Sequence, residues 1–234
     1  MNLVRAYKRF RGSYAEELAK KFISWNVHNH ESARRLSALL ESGEYARRNM
    51  QDVYSSPITR DVFYHSLALA PSSGLFMEFG VWNAETTNRI ADYVGSSRTV
   101  HGFDSFEGLP EDWADGYKKG TFNLHGKLPR VRPNVKLHVG WFNETLPQFS
   151  ESSIEKISFL HIDCDLYSST KAIFDHLGDR IVPGSIILFD EYFNYYGWRD
   201  HEYRAFKEFV EERSLSYKYV AYNTSEYNVA VQIT

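Results

Sequence analysis

Two apolar runs that each end in carboxylates constrain this chain more than any other feature. Phe159-Leu160-His161-Ile162 leads into Asp163-Cys164-Asp165, and the helix-compatible segment Leu166-Tyr167-Ser168-Ser169-Thr170 follows. Some twenty residues on, Gly184-Ser185-Ile186-Ile187-Leu188-Phe189 ends in Asp190-Glu191. Side chains alternate along a strand, so Asp163 and Asp165 are expected on one face, roughly 7 Å apart. Anions that close in a half-buried cleft repel, so one is protonated or a cation sits among them. Two parallel strands delivering acids at their C-terminal ends describe a site for a hard divalent ion. Strand-end aspartates also cap helices; the coincidence of two such runs favours the site.

The rest of the chain supplies the sheet those runs require. Strands are predicted over 75–81, 99–103, 135–139, 157–163 and 185–190, with helices over 85–94 and 203–213. The segments 217–222 and 228–233, joined by Asn223-Thr224-Ser225-Glu226, read as a hairpin that makes the last strand antiparallel. This is a doubly wound open α/β sheet with helices on both faces, which binds ligands beyond the strands' carboxyl ends. Residues 1–70 read as helices without strands, over 14–25, 31–41 and 58–70, broken at Ser55-Ser56-Pro57. They form a helical extension, a lid or a subunit surface or both, ahead of the α/β domain at 71–234. The stretch 109–133 reads as a substrate-facing loop.

Composition narrows the function classes. A net charge of −3 over 234 residues offers no footprint for nucleic acid. No run approaches the ~20 apolar residues of a membrane span, and the first residues lack the apolar core of a secretory signal. The single cysteine, Cys164, excludes an internal disulfide framework and fits a reducing cytoplasm. Aromatics make up 16% of the chain, suiting an aromatic-lined cleft or subunit contacts in a homo-oligomer, with a dimer favoured.

The first strand holds Glu78, a carboxylate in an apolar run that needs a partner, whether a ligand or a structural ion pair. The turn after it, Gly80-Val81-Trp82-Asn83-Ala84-Glu85-Thr86, has one glycine and an acid. A pyrophosphate needs several glycines and no neighbouring anion, so a cationic or zwitterionic ligand fits better. The second strand ends near Asp104, where such folds set an acid against ribose hydroxyls. A nucleoside held without a phosphate cradle describes S-adenosylmethionine (SAM). Trp141, after the third strand, either walls the adenine or packs in the core.

The segments EFGVWNAET, HGFDSFEGLP, GWFNETLP, HIDCDLYSST and ILFDEY resemble, in order and spacing, the motifs of the macrocin O-methyltransferase (TylF-type) family of class I SAM-dependent enzymes. The resemblance spans about 55–209. It implies a seven-strand, mostly parallel Rossmann-like sheet of order 3-2-1-4-5-7-6, and methyl transfer to hydroxyls, often of sugars, on secondary metabolites with Mg²⁺ beside SAM. By the same resemblance Glu78 and Gly80 belong to the first SAM motif, Thr86 lies near the methionine carboxylate, and Asp104 and Ser105 serve the ribose and adenine. Trp141 is the aromatic after the third strand. Asp163, which borders the cofactor, joins Asp190 and Glu191 as metal ligands, and Asp165 is the general base. The chain departs from the family's usual Asp-Asp pair at Asp190-Glu191.

The expected chemistry follows. A divalent ion lowers the pKa of a small-molecule hydroxyl and Asp165 takes its proton as the methyl arrives. His161 is expected as a core or supporting residue, His125 and His201 as rival bases, and Cys164 as packing. The aromatic run 192–198 walls the acceptor pocket or covers a subunit interface. Two rivals remain: a metal-dependent hydrolase, and a non-catalytic SAM-fold binding module.

Overall fold

The computed structural model describes residues 29–234, and the helix expected over 14–25 lies outside them. The elements run α1 (His30–Asn49), β1 (Tyr54–Ser56), α2 (Thr59–Leu69), β2 (Leu75–Phe79), α3 (Glu85–Val94), β3 (Val100–Asp104), β4 (Val135–Val139) and α4 (Phe142–Ser152). They continue with β5 (Ile157–Ile162), α5 (Tyr167–Leu177), β6 (Ile186–Phe189), α6 (Glu202–Glu212), β7 (Tyr217–Asn223) and β8 (Val229–Ile233).

Every residue of β2, β5 and β6 is buried, because parallel strands covered by helices on both faces have no solvent side. Alternate side chains divide between two cores. Phe76, Phe159, Ile186 and Leu188 meet Val62, Phe63 and Leu67 of α2 and Ile90 of α3. Met77, Phe79, Leu160, Ile162, Ile187 and Phe189 meet Leu146 and Phe149 of α4, Phe174 of α5 and Phe206 and Phe209 of α6. The sheet has eight strands in the order β1-β7-β8-β6-β5-β2-β3-β4. Counted from β2, seven of them keep the expected order, and β8 is antiparallel to both β6 and β7.

The eighth strand corrects the expectation that residues up to 70 contain no strand. Tyr54–Ser56 pairs in parallel with β7, Tyr54 opposite Ala221. Three residues ending at a proline read locally as a break. The pairing comes from the edge that β7 presents, and Pro57, lacking an N–H, ends it. A second difference is α4, which the sequence reading passed over. Its interior Pro147 and polar run hide the two buried anchors, Leu146 and Phe149.

The order reverses between β2 and β5, the point at which doubly wound sheets bind ligands. Helix α1 lies against the 190s loop and β7. The Tyr45 and Tyr219 hydroxyls meet at 2.6 Å, and Ser42 Oγ accepts the Asn194 N–H.

Candidate active site

A cavity of about 850 Å³ opens at the carboxyl ends of the central strands. Gly80, Trp82, Asp104, Ser105, Trp141, Asp163, Asp165, Asp190 and Glu191 all line it. It therefore joins the expected nucleoside end and the expected acid end in one space.

The end expected to take the nucleoside is built by two turns tied together. Asp104 closes β3, and its carboxylate accepts the N–H groups of Val81 and Trp82, both at 2.8 Å, and of Phe106 at 2.6 Å. Gly80 has φ +92°, and a Cβ there would overlap the Asp163 carbonyl oxygen, so only glycine lets the β2 turn approach the β5 turn. Trp141 caps the start of α4 and lines the cavity.

Glu78 and Thr86 are not among the residues that line the cavity. Glu78 is fully buried beneath it, accepting from Thr87 Oγ1 and lying 2.8 Å from His161 Nδ1. Each carboxylate oxygen thus has a protein partner. Thr86 is half-buried on the first turn of α3, beside the Thr87 that turns inward. His161 Nε2 stands 3.9 Å from Asp190 Oδ1, beyond hydrogen-bond reach. Burial opposes protonation of His161, but the acids around it outweigh that and raise its pKa.

The acid end does not come from strand alternation. β5 stops at Ile162, so Asp163 and Asp165 lie past the pleat rather than on one face of it. The Leu166 N–H donates to the Cys164 carbonyl at 2.6 Å, which makes Asp165 the centre of a γ-turn with φ +64°. That turn is rare and strained for a residue with a side chain, and it folds Asp165 into the cavity. Asp163, Asp190 and Glu191 each offer a carboxylate oxygen, all within 4.8 Å of one another.

Crowded acids in a dry corner favour the protonated form. Burial and then Asp190 push the Asp165 carboxyl up to about 7. Burial and the neighbouring acids likewise push Asp163 and Glu191 well above the carboxylate range. Behind them sits an acid that the sequence reading missed. Glu202, fully buried on the first turn of α6, accepts the Glu191 N–H at 3.1 Å, and burial raises its pKa strongly. The predicted helix began one residue later and left Glu202 in a loop.

The remaining walls come from loops. The 109–133 stretch contributes Leu109, Pro110, Trp113, Tyr117 and Phe122. It is pinned to α5 by Ser168 Oγ donating to Glu111 at 2.7 Å. Arg35, brought in by α1, also lines the cavity and had no sequence signal. Of the 192–198 run, Tyr192, Phe193, Tyr195 and Trp198 pack in the chain's own core, and Tyr195 also faces the cavity. Cys164, expected as packing, belongs to the core but also lines the cavity, and burial pushes its thiol well up. His125 and His201 do not line the cavity.

A doubly wound sheet of this order, with a cavity at the carboxyl ends of its central strands, is the class I methyltransferase fold. The crystal structure of CalS11, a calicheamicin methyltransferase, superposes with a TM-score of 0.59 at 21% identity, over 93% of this chain and 85% of that one. The chain belongs to the macrocin O-methyltransferase (TylF) family, whose profile matches residues 66–219.

Among curated relatives is the 8-demethyl-8-(2,3-dimethoxy-alpha-L-rhamnosyl)-tetracenomycin-C 4'-O-methyltransferase of Streptomyces olivaceus, 29% identical over 51% of this chain and 53% of that protein. Another is the demethyldecarbamoylnovobiocin O-methyltransferase of Streptomyces niveus, 25% identical over 86% of this chain and 77% of that protein. The matched part thus spans about half the length of the first relative. No helix among the described residues is long and apolar enough to cross a membrane.

Proposed function

We propose that this protein transfers the methyl group of SAM to a hydroxyl of a small secondary-metabolite acceptor, with a divalent cation held beside the cofactor. The observation that carries the reading is the single cavity joining the Asp104 turn to the Asp163, Asp165, Asp190 and Glu191 cluster. The S. olivaceus relative is named for a reaction on a rhamnosylated compound, so a sugar hydroxyl is the favoured acceptor.

The donor set suits a hard cation. Three carboxylate oxygens lie within 4.8 Å of one another, and Glu191 Oε2 is buried without a partner. Asp163, Asp190 and Glu191 would hold Mg²⁺ or a similar ion. When bound, it would lower the pKa of an acceptor hydroxyl and offset the acids' repulsion.

The chain's own residues do the rest. Gly80 and Ser105 let the nucleoside approach, Asp104 accepts from its ribose, and Trp141 walls its base. Asp165, poised near neutrality by burial, takes the acceptor's proton. The hydroxyl oxygen bonds to the methyl carbon, the carbon–sulfur bond breaks, and neutral S-adenosylhomocysteine is left. General-base help of this kind is worth ~10²–10⁴-fold.

Calorimetric titration with S-adenosylhomocysteine, followed by turnover of a sugar-acceptor panel with Mg²⁺ or EDTA, tests the reading. Micromolar binding and EDTA-sensitive methylation are expected. No binding would return the hydrolase reading, binding without any turnover the non-catalytic one, and full turnover in EDTA would remove the metal.

A further inference from the structure

Asn228 ends the β7–β8 turn, one residue ahead of β8, and is buried. The antiparallel register that pairs Phe189 with Val229, continued by one residue, sets Asn228 across from Asp190. From there its Nδ2 donates to the Asp190 carbonyl at 3.2 Å and also to Asp190 Oδ1.

The direction of this amide is fixed from both sides. A carbonyl only accepts, so the NH₂ of Asn228 is the group that faces Asp190. Behind it, Asn228 Oδ1 accepts from Asn223 Nδ2 at 3.4 Å, which also donates to Thr59 Oγ1 at 3.1 Å. Asn223 is oriented in turn, because its Oδ1 accepts the Ser225 and Glu226 N–H groups at 2.8 and 2.9 Å. Asn223 therefore satisfies the turn, and the donor of Asn228 reaches out of it to the acid beyond β6. A residue serving the turn alone would point its donor inward.

These bonds make the two Asp190 oxygens unlike. Oδ1 faces Asn228, with His161 Nε2 3.9 Å from the same atom. Among the described residues no hydrogen bond is made to Oδ2, and Asp190 lines the cavity. A carboxylate held by one oxygen offers the other singly, which suits a small ion of strict octahedral geometry. One free to turn can close on an ion with both oxygens, as the larger Ca²⁺ accepts.

We propose that Asn228 is a positioning residue: by holding Asp190 Oδ1 it presents Oδ2 to a divalent cation and biases the site towards a small ion over Ca²⁺. The inference rests on the reading of Asp163, Asp190 and Glu191 as metal ligands.

Asn228→Leu keeps the bulk and removes the donor. The probe is Mn²⁺, a hard ion suited to the same oxygen donors as Mg²⁺, followed by the paramagnetic resonance signal of the free ion. Ca²⁺ is measured by the Mn²⁺ it displaces, and S-adenosylhomocysteine affinity calorimetrically in EDTA.

Mn²⁺ affinity should fall about 10–100-fold, the range seen when a ligand's supporting partner is removed. Ca²⁺, which tolerates a carboxylate on one oxygen or both, should lose about 3-fold or less. Nucleoside affinity in EDTA should hold. Parental Mn²⁺ affinity in the variant, or Mn²⁺ and Ca²⁺ weakening in step, overturns the proposal; a purely structural asparagine gives the second result, since a disordered site loses both ions alike. Should Asn228→Leu fail to fold, Asn228→Ser, too short to reach both Asp190 oxygens, decides by the same two-ion comparison. A parent protein that binds no Mn²⁺ removes the cation reading and this inference with it, whereas a parent and variant that bind both ions equally leave that reading standing and strike the inference alone.

Discussion

Asp165→Asn is expected to make the protein more stable and nearly inactive, for one electrostatic reason. Burial and Asp190 raise the Asp165 carboxyl from its ordinary 3.8 to about 7. Asparagine has the same shape and shares the tolerance of aspartate for the left-handed region, where φ is +64°. Charge is therefore what the substitution changes. The folded state holds the Asp165 proton to higher pH than the unfolded state does. Stability from this group is fully present below pH 3.8 and falls as pH rises towards 7. The distance between those values corresponds to about 4 kcal/mol above pH 7. In EDTA at pH 8, Asp165→Asn should gain roughly 2–4 kcal/mol, or about 5–15 °C in Tm for a chain of this size. At pH 4 the gain should shrink to within about 1 kcal/mol. Turnover should fall ~10²–10⁴-fold while S-adenosylhomocysteine binding persists. Thermal melts of both proteins across pH 4–8 check this. A variant no more stable at pH 8, or equally stabilised at both ends, would refute the argument.

Two further substitutions probe the frame around the site. Gly80→Ala puts a Cβ onto the Asp163 carbonyl at a φ of +92°. It should cost roughly 3–5 kcal/mol from strain and overlap together, and a denaturant midpoint giving less than 1 kcal/mol would count against the close approach of the two turns. His101 and His138, paired at 3.0 Å on β3 and β4, are each lowered to about 4, mainly by burial. The unfolded state then binds more protons between pH 6.5 and 4, so these groups withdraw stability as the solution is acidified. His138→Gln should flatten the acid side of the Tm profile relative to the parent, and parallel profiles would show the pair to be solvated.

The sheet was legible because β2, β5 and β6 are buried on both faces, and a strand with no wet side is written as an unbroken apolar run. The acids at their ends were legible for the same reason, as the first polar residues past each run. What escaped depends on partners distant in sequence. β1 exists only against the edge of β7. α4 is defined by two anchors around a proline. Glu202 lies just ahead of the helix expected from Tyr203, in a stretch that reads as loop, and only the tertiary fold buries it. The convergence of Asp163 and Asp165 was expected from the pleat, but a γ-turn achieves it. A period-two pattern and a reversal after one residue look identical in sequence.

The two ends of the cavity are finished differently, and the difference bears on what each can bind. Asp104 already accepts three backbone N–H bonds at 2.6–2.8 Å. A carboxylate has about four lone-pair directions, so it keeps capacity for a hydroxyl donor beside those three amides. Such a group can hold a ribose without calling for a cation. At the other end, Glu191 Oε2 and Glu202 Oε1 are buried without partners, and Asp163, Asp165 and Glu191 are all pushed towards protonation. Buried acids left short of donors demand either protons or positive charge. On the proposed reading a sulfonium, a divalent ion and a hydroxyl proton would be the positive species at that corner, and a neutral ligand alone would leave the repulsion unrelieved.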